Sequence, residues 1–316
     1  MGAGRIGYKP GRDRGIVIVK HIGIAVTDPQ DWTARALYEA VTRAGGSPFV
    51  FRLHDVTTML RGETELVAGD MDFRSLDAVI VRDVGGGGVG GDDTEGMSYR
   101  FDLLCNLDEQ GIKIVNPPLA IQTAANKHMS SYLFKQQGLS TPDTILTSDL
   151  DIAVNVVREW GRAVIKPIFG FKGLDIRCVV DDESSKIRLI KHLERRGVLY
   201  LQQYIPNPGR DIRVFVVDGQ VSGAIYRNAP PGSWINNLSQ GGAPQLCPVS
   251  PEIEELACGA ARAVGAVYAG VDLIEGEEGL SILEVNGTPS GWGIFEACGI
   301  DVTVDIVRYV MGEVDG

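Results

Sequence analysis

The spacing of apolar residues changes period several times along the chain, and each change marks an element. His21-Ile-Gly-Ile-Ala-Val26 reads as a buried strand. From Asp31 to Gly45, Leu37, Ala40, Val41 and Ala44 recur at the spacing of an amphipathic helix that Gly45 closes. An extended Phe49–Leu53, a strand Ala78–Arg82, a helix near Arg100–Glu109 and a strand Lys113–Asn116 running into Pro117-Pro118 continue the alternation. Such alternation predicts a small parallel α/β domain. Ala120–Gly138 is helical in pattern, and strands follow at Ala163–Pro167, Ile176–Val180, Val198–Gln203 and Asp211–Val217, separated by turns. Asp218-Gly219 is a hairpin turn into Gln220–Tyr226. A helix opens with Pro251 in its first position and carries the stripe Ile253, Leu256, Ala257, Ala260, Ala261, Val264. Ala269–Ile274 and Leu280–Asn286 then flank a Glu-Gly-Glu-Glu-Gly turn.

Length makes this a chain of several subdomains, because 316 residues exceed the ~100 to 150 typical of one core. The expected division is an extension over 1–20, a parallel α/β domain over 21–118, a central unit over 119–204 and a C-terminal unit over 205–316. The basic stretch before His21 lacks a small-residue cleavage site and is read as an extension rather than a secretory signal. Truncating it is expected to leave activity intact. No apolar run approaches the ~20 residues that span a bilayer, so no membrane segment is expected. Five scattered cysteines without a CxxC pair suit reduced thiols in a cytoplasm, and four dispersed histidines leave little for zinc. A net charge of -11 argues against nucleic acid as a partner.

The chemistry gathers in the last third. In a hairpin of even register, Asp272, Glu284 and Asn286 share one face while Val271, Leu273, Leu283 and Val285 share the other. Two neighbouring carboxylates repel unless a cation sits between them, and hard oxygen donors suit magnesium shared with phosphates. An exposed face of solvated acids is the alternative. Upstream, Ala163-Val-Ile-Lys166 ends a buried strand and is followed by the glycine-hinged Phe169-Gly-Phe-Lys-Gly173. A strand-end lysine beside such a loop can clamp phosphates. Gln202-Gln-Tyr-Ile205 can present Gln203 to an adenine edge, and Asp211 and Arg213 share a face of the next strand. Gly85–Gly91 has neither GxGxxG spacing nor GK[ST], which favours a surface loop over a phosphate site.

In order and spacing, Lys166, the glycine hinge, Asp211-Ile-Arg213, Asn236-Asn237, Gly270-Val-Asp272 and Glu284-Val-Asn286 resemble the ATP-grasp superfamily, and within it the RimK-type α-L-glutamate ligases. The resemblance covers nearly all of 21–312 and is densest from Lys127 to Asn286. It implies an ATP-grasp fold of the α/β (α+β) class, with ATP held between two α+β subdomains behind an N-terminal pre-ATP-grasp domain. It also implies an ATP-dependent carboxylate-amine ligase that joins L-glutamate to an acceptor carboxylate through an acylphosphate, using two Mg2+ or Mn2+ ions.

Residue by residue, the resemblance implies that Lys127 and Lys166 hold phosphates, that Gln203 and Tyr204 line the adenine site, and that Asp211 contacts the nucleotide. Asn236 and Asn237 would meet its phosphates, Asp272, Glu284 and Asn286 the metal ions, and Arg213 the transferring phosphate. Gln203 departs from the family, which often has an acid there, and the Gly170–Gly173 loop is less glycine-rich than usual, leaving Lys172 without a firm role. Thr27–Arg35, Ile80–Val84 and Tyr99–Leu103 look like archaeal enzymes that glutamylate tetrahydromethanopterin. Other acceptors in the family are a deazaflavin coenzyme, a ribosomal protein tail and an amino-group carrier protein; a kinase or a non-catalytic nucleotide-binding regulator would also fit the fold. Arg82, Arg100 and Arg227 either hold substrate carboxylates or serve structurally, and Trp234 and Tyr226 either stack on a pterin or fill a core. A homo-oligomer is implied by analogy alone.

Overall fold

Ile22, Ile24, Ala78 and Ile80 are buried against the helix Trp32–Arg43, while Ala25, Val79, Val81 and Ile114 are buried on the opposite side with Leu103, Leu104 and Leu107 of the helix Thr94–Glu109. Strands covered on both faces read as unbroken apolar runs, which is why these short segments stand out in the sequence. They form a parallel sheet in the order 47–51, 21–25, 78–81, 113–115. The computed structural model describes residues 19–85, 94–170, 175–230, 241 and 243–314. Most of the 1–20 extension and of the Gly85–Gly91 loop lies outside them. No described helix is long and apolar enough to cross a membrane.

A second sheet, antiparallel, runs in the order 177–180, 162–166, 199–203, 144–147. Helices Leu150–Trp160 and Glu183–Arg196 cover one face through Ala153, Val157 and Leu189, packed on Ala163, Ile165, Leu199 and Leu201. The second of these helices interrupts what reads in the sequence as strands and turns alone. It is largely polar, with only Ser185, Leu189 and His192 buried, so its apolar stripe is too thin to register. Its start is set by Asp182, whose side chain accepts from the Ser185 N–H.

The third sheet has five antiparallel strands in the order 243–246, 220–228, 210–217, 268–276, 279–286. Asp218 (φ 49°) and Gly219 (φ 70°) make the expected hairpin turn, since positive φ at both central residues matches the twist of the flanking strands. Helix Pro251–Ala263 packs its predicted stripe on Ile212, Val214, Val216, Val271, Leu273 and Val285. On the other face, Phe215, Ile225 and Tyr268 join the helix 32–43 and Ile306, Val307 and Val310 of the helix Thr303–Val314 in one core.

Two further expectations need correction, and one small sheet was not expected. The helix expected over 120–138 is two, Pro118–Ala125 and Lys127–Gln136, because Asn126 leaves the helical conformation and its Oδ1 accepts from the N–H groups of His128 and Met129. The final hairpin is not of even register. A bulge after Asp272 sets Leu273 opposite Ile282, so Ile282 rather than Leu283 joins Val271, Leu273 and Val285 in the core. A small antiparallel sheet of 57–61, 63–68 and 71–72, absent from the sequence reading, follows the first sheet's second strand.

Candidate active site

Where the third sheet is not covered by the N-terminal core, its face is polar. Asp211 and Arg213 alternate out of strand 210–217, and the register sets Arg227 opposite Asp211, Asp272 opposite Arg213 and Glu284 opposite Asp272. Four strands thus deliver five charged side chains to one patch. Arg213 forks onto both oxygens of Asp272, with Nη2 2.9 Å from Oδ2. Arg227 donates from Nε and Nη2 to the two oxygens of Asp211, each at 2.7 Å, and its Nη2 also lies 2.8 Å from Asp272 Oδ2. The three residues Asp211, Arg227 and Asp272 are buried. Burial alone would raise the Asp272 carboxyl, but Arg213 and Arg227 outweigh it and lower its pKa to about 2. Burial is also the largest influence on Arg227, opposed by both carboxylates, and the net direction is upward.

The second sheet and the helix Lys127–Gln136 contribute the opposite wall. Lys127, first residue of its helix, donates from Nζ to the Gly170 carbonyl at 3.2 Å and lies 3.2 Å from Glu284 Oε2. Lys166 is 8% exposed and donates to Gln202 Oε1 at 2.6 Å. Burial lowers its pKa to about 8, with Glu284 pulling upward and Lys127 pushing further down. Four cations therefore face three carboxylates in one desolvated patch, leaving an excess of positive charge suited to a polyphosphate.

Asp272, Glu284 and Asn286 do share a side of adjoining strands, as the sequence leads one to expect, and Asn286 Oδ1 accepts from the Thr288 N–H at 2.9 Å. Among the described residues no group of three or more His, Cys, Asp and Glu gathers as a metal site. Two carboxylates and an amide make too small a cage for a dedicated ion but fit magnesium, which completes its shell from phosphate oxygens and water. Gly270 is part of the geometry. A Cβ there would stand 2.9 Å from Arg213 Nη1 and 2.8 Å from Pro289 Cβ, so only glycine leaves the guanidinium its place.

The family profile of the RimK-like ATP-grasp domain matches residues 124–310, well over half of the chain. The chain belongs to the RimK-like ATP-grasp family. It is 44% identical to the tetrahydromethanopterin:alpha-L-glutamate ligase of Methanosarcina acetivorans, over 92% of this chain and 99% of that protein. A ligase of the same name from Methanocaldococcus jannaschii is 35% identical over 78% of this chain and 87% of its own length. Among solved structures, the ATP-grasp ligase PsnB complexed with a phosphomimetic variant of a minimal precursor, Mg and ADP superposes with a TM-score of 0.72 at 20% identity, covering 94% of this chain and 99% of that one. The RimK domain ATP-grasp protein of Sphaerobacter thermophilus gives 0.68 at 17% identity, covering 92% and 100%. The architecture is the ATP-grasp fold.

Not every residue expected in the site stands in this ATP-grasp patch. Gln203 pairs with Ala163, which faces the helix-covered core, so alternation turns the Gln203 side chain away from Lys166; Gln202 instead shares the face of Lys166. The Tyr204 ring lies under the Arg162 guanidinium, 4.0 Å from its centroid. Asn236, Asn237, Lys172 and Trp234 lie outside the described residues. Arg82 pairs with Asp31 at 2.8 Å and donates to the Thr288 carbonyl at 3.3 Å, tying the first sheet to the loop after Asn286. Arg100 donates to the Val84 carbonyl at 2.9 Å. Arg227, left open between substrate and structure, is spent on Asp211 and Asp272. Gln202 was overlooked, because its place beside Lys166 depends on the register between strands 162–166 and 199–203.

Proposed function

We propose that this chain is an ATP- and magnesium-dependent ligase that joins L-glutamate to a carboxylate of tetrahydromethanopterin, forming an amide and releasing ADP and phosphate. A carboxylate is a poor electrophile. Transfer of the γ-phosphoryl group of ATP to an acceptor carboxylate oxygen gives an acylphosphate, and attack by the glutamate amine on its carbonyl carbon expels phosphate. Phosphoryl transfer asks mainly for positioning and charge neutralisation. Magnesium, when bound, supplies much of that charge.

The chain's own residues do the rest. Lys127 from its helix and Lys166 from the second sheet hold phosphate oxygens, and Arg213 meets the transferring group. Arg227 touches neither; by pairing with Asp211 and Asp272 it holds the metal-binding carboxylate ionised and in line. Release from Arg213 and Lys127 would free Asp272 and Glu284 for the ion while passing both cations to the phosphates.

The row Arg213, Asp272, Glu284, Lys127, running from the third sheet to the start of helix 127–136, carries this reading, supported by the 44% identity to a ligase of that activity. The same reading includes two ions, magnesium or manganese, adenine beside Gln203 and Tyr204, phosphate contacts from Asn236 and Asn237, and a nucleotide contact by Asp211. It also takes in the three units 21–118, 119–204 and 205–316, a cytoplasmic setting and a homo-oligomer.

Incubation with ATP, Mg2+, L-glutamate and tetrahydromethanopterin should yield a glutamyl mass increment on the acceptor, with phosphate released only when glutamate is present. Arg213→Ala and Glu284→Ala should each lower kcat by ~10²- to 10³-fold with unchanged circular dichroism. Full activity in either variant would remove the assignment, and phosphate retained on the product would make the enzyme a kinase.

A further inference from the structure

Tyr226, singled out in the sequence for stacking on a ring, does not stand on the face of the candidate site. Tyr226 pairs with Ile212, on the side of the third sheet that faces helix 251–263, and its ring is covered by the Arg210 guanidinium at 3.8 Å. A different aromatic group stands elsewhere. Trp32 opens the helix 32–43, and Trp292 and Phe295 lie on the helix Trp292–Cys298. Their ring centroids are 5.5 Å (Trp32 to Trp292), 4.9 Å (Trp32 to Phe295) and 6.1 Å (Trp292 to Phe295) apart. This is mutual packing distance, yet Trp292 is 42% and Phe295 39% exposed. On the order of 150 Å² of contiguous aromatic surface is therefore left to solvent, an arrangement that favours a flat ligand over water.

The surface is wired to the candidate metal residues through one hydrogen-bonded loop. The Thr288 N–H holds Asn286 Oδ1, the Thr288 carbonyl accepts from Arg82, Ser290 Oγ lies 3.1 Å from Thr33 Oγ1, and the Gly291 N–H donates to Thr33 Oγ1 at 3.2 Å. Asp31, which caps the helix that Trp32 opens, is the partner of Arg82. Gly291 has a steric role here: a Cβ would stand 2.5 Å from Val302 Cγ2 and 3.4 Å from the Trp32 ring. Trp292 is six positions after Asn286, a span of at most ~21 Å. One extended acceptor can therefore lie with its ring on the aromatics and a distant carboxylate at the phosphates.

We propose that Trp32, Trp292 and Phe295 form the stacking platform that selects a flat heteroaromatic ring in the acceptor. The proposal rests on the ligase reading above and assigns its specificity to these three side chains. Trp292→Leu keeps apolar bulk but has no π face, and Trp292→Phe keeps the face. Stacking predicts that the leucine variant raises the KM for tetrahydromethanopterin ~10-fold, leaves the KM values for ATP and L-glutamate and the thermal midpoint unchanged, and that phenylalanine restores most of the loss.

If the aromatics only pack the two helices together, leucine behaves like wild type, or all three KM values move with the midpoint. Either result overturns the platform. Failure of the wild type to glutamylate tetrahydromethanopterin would instead sink the acceptor reading. The platform is then judged by quenching of intrinsic tryptophan fluorescence on adding tetrahydromethanopterin without ATP. Quenching that Trp292→Leu weakens upholds it, and no quenching, or quenching equal in wild type and Trp292→Leu, refutes it.

Discussion

Assignment of Lys166 to the phosphates predicts a pH dependence of nucleotide binding that its arginine variant should lack. Burial at 8% exposure lowers its pKa from 10.5 to about 8, so keeping it charged in the empty protein costs about 3 kcal/mol relative to water, at 1.36 kcal/mol per unit. The unfolded chain binds the proton more tightly than the native one, so this cost is fully present below pH 8 and is relieved as pH rises toward 10.5. Bound phosphates favour the charged form, and nucleotide affinity must run the other way. With a pKa of about 8, Lys166 is almost fully charged at pH 7 and roughly one-tenth charged at pH 9, which weakens binding ~10-fold over that interval.

Calorimetric titration with Mg-ADP between pH 7 and 9.5 should show that fall, together with proton uptake that grows through pH 8 when buffers of different ionisation enthalpy are compared. Lys166→Arg keeps a cation that does not titrate in this range, so its affinity should stay flat and its proton uptake vanish. An affinity that falls equally in wild type and Lys166→Arg would refute the assignment of this lysine to the phosphates.

Asn116 is fully buried, donates to the carbonyls of Tyr268 (2.7 Å) and Gly287 (2.6 Å), and accepts from the N–H groups of Val267 (2.7 Å) and Tyr268 (3.0 Å). Asn116→Ala strands four backbone groups and should cost about 3 kcal/mol or more, read as a lower urea midpoint with an unchanged m-value; a shift below about 1 kcal/mol would show that water or relaxation replaces the side chain. Gly270→Ala puts a methyl group against Arg213 and Pro289. It should lower kcat at least ~10-fold with a stability loss of only ~1 to 3 kcal/mol, and a wild-type kcat would mean that Arg213 does not need its observed position.

Much of the site was legible because strands write their faces into the sequence with period two. Asp211 and Arg213 are two apart, as are Glu284 and Asn286, and each pair emerges on one side of its strand. The same rule failed at Leu283, because a bulge adds a residue without a compositional mark. Helix 183–196 was hidden by its small apolar content, whereas helix 251–263 announced itself through a full stripe and a proline at its start.

Contacts between distant segments left no local trace at all. Nothing near Asn116 in the chain says that its amide will hold strand 268–276, and nothing near Arg82 points to Thr288. The charged patch belongs to both kinds. Which side of each strand carries charge follows from alternation, but which cation neutralises which carboxylate follows from register between strands far apart in sequence. Arg227 could therefore be noticed in the sequence and still not be assigned: whether it meets a substrate or Asp272 is decided by the pairing of strand 210–217 with both of its neighbours, and that pairing places it between two buried acids.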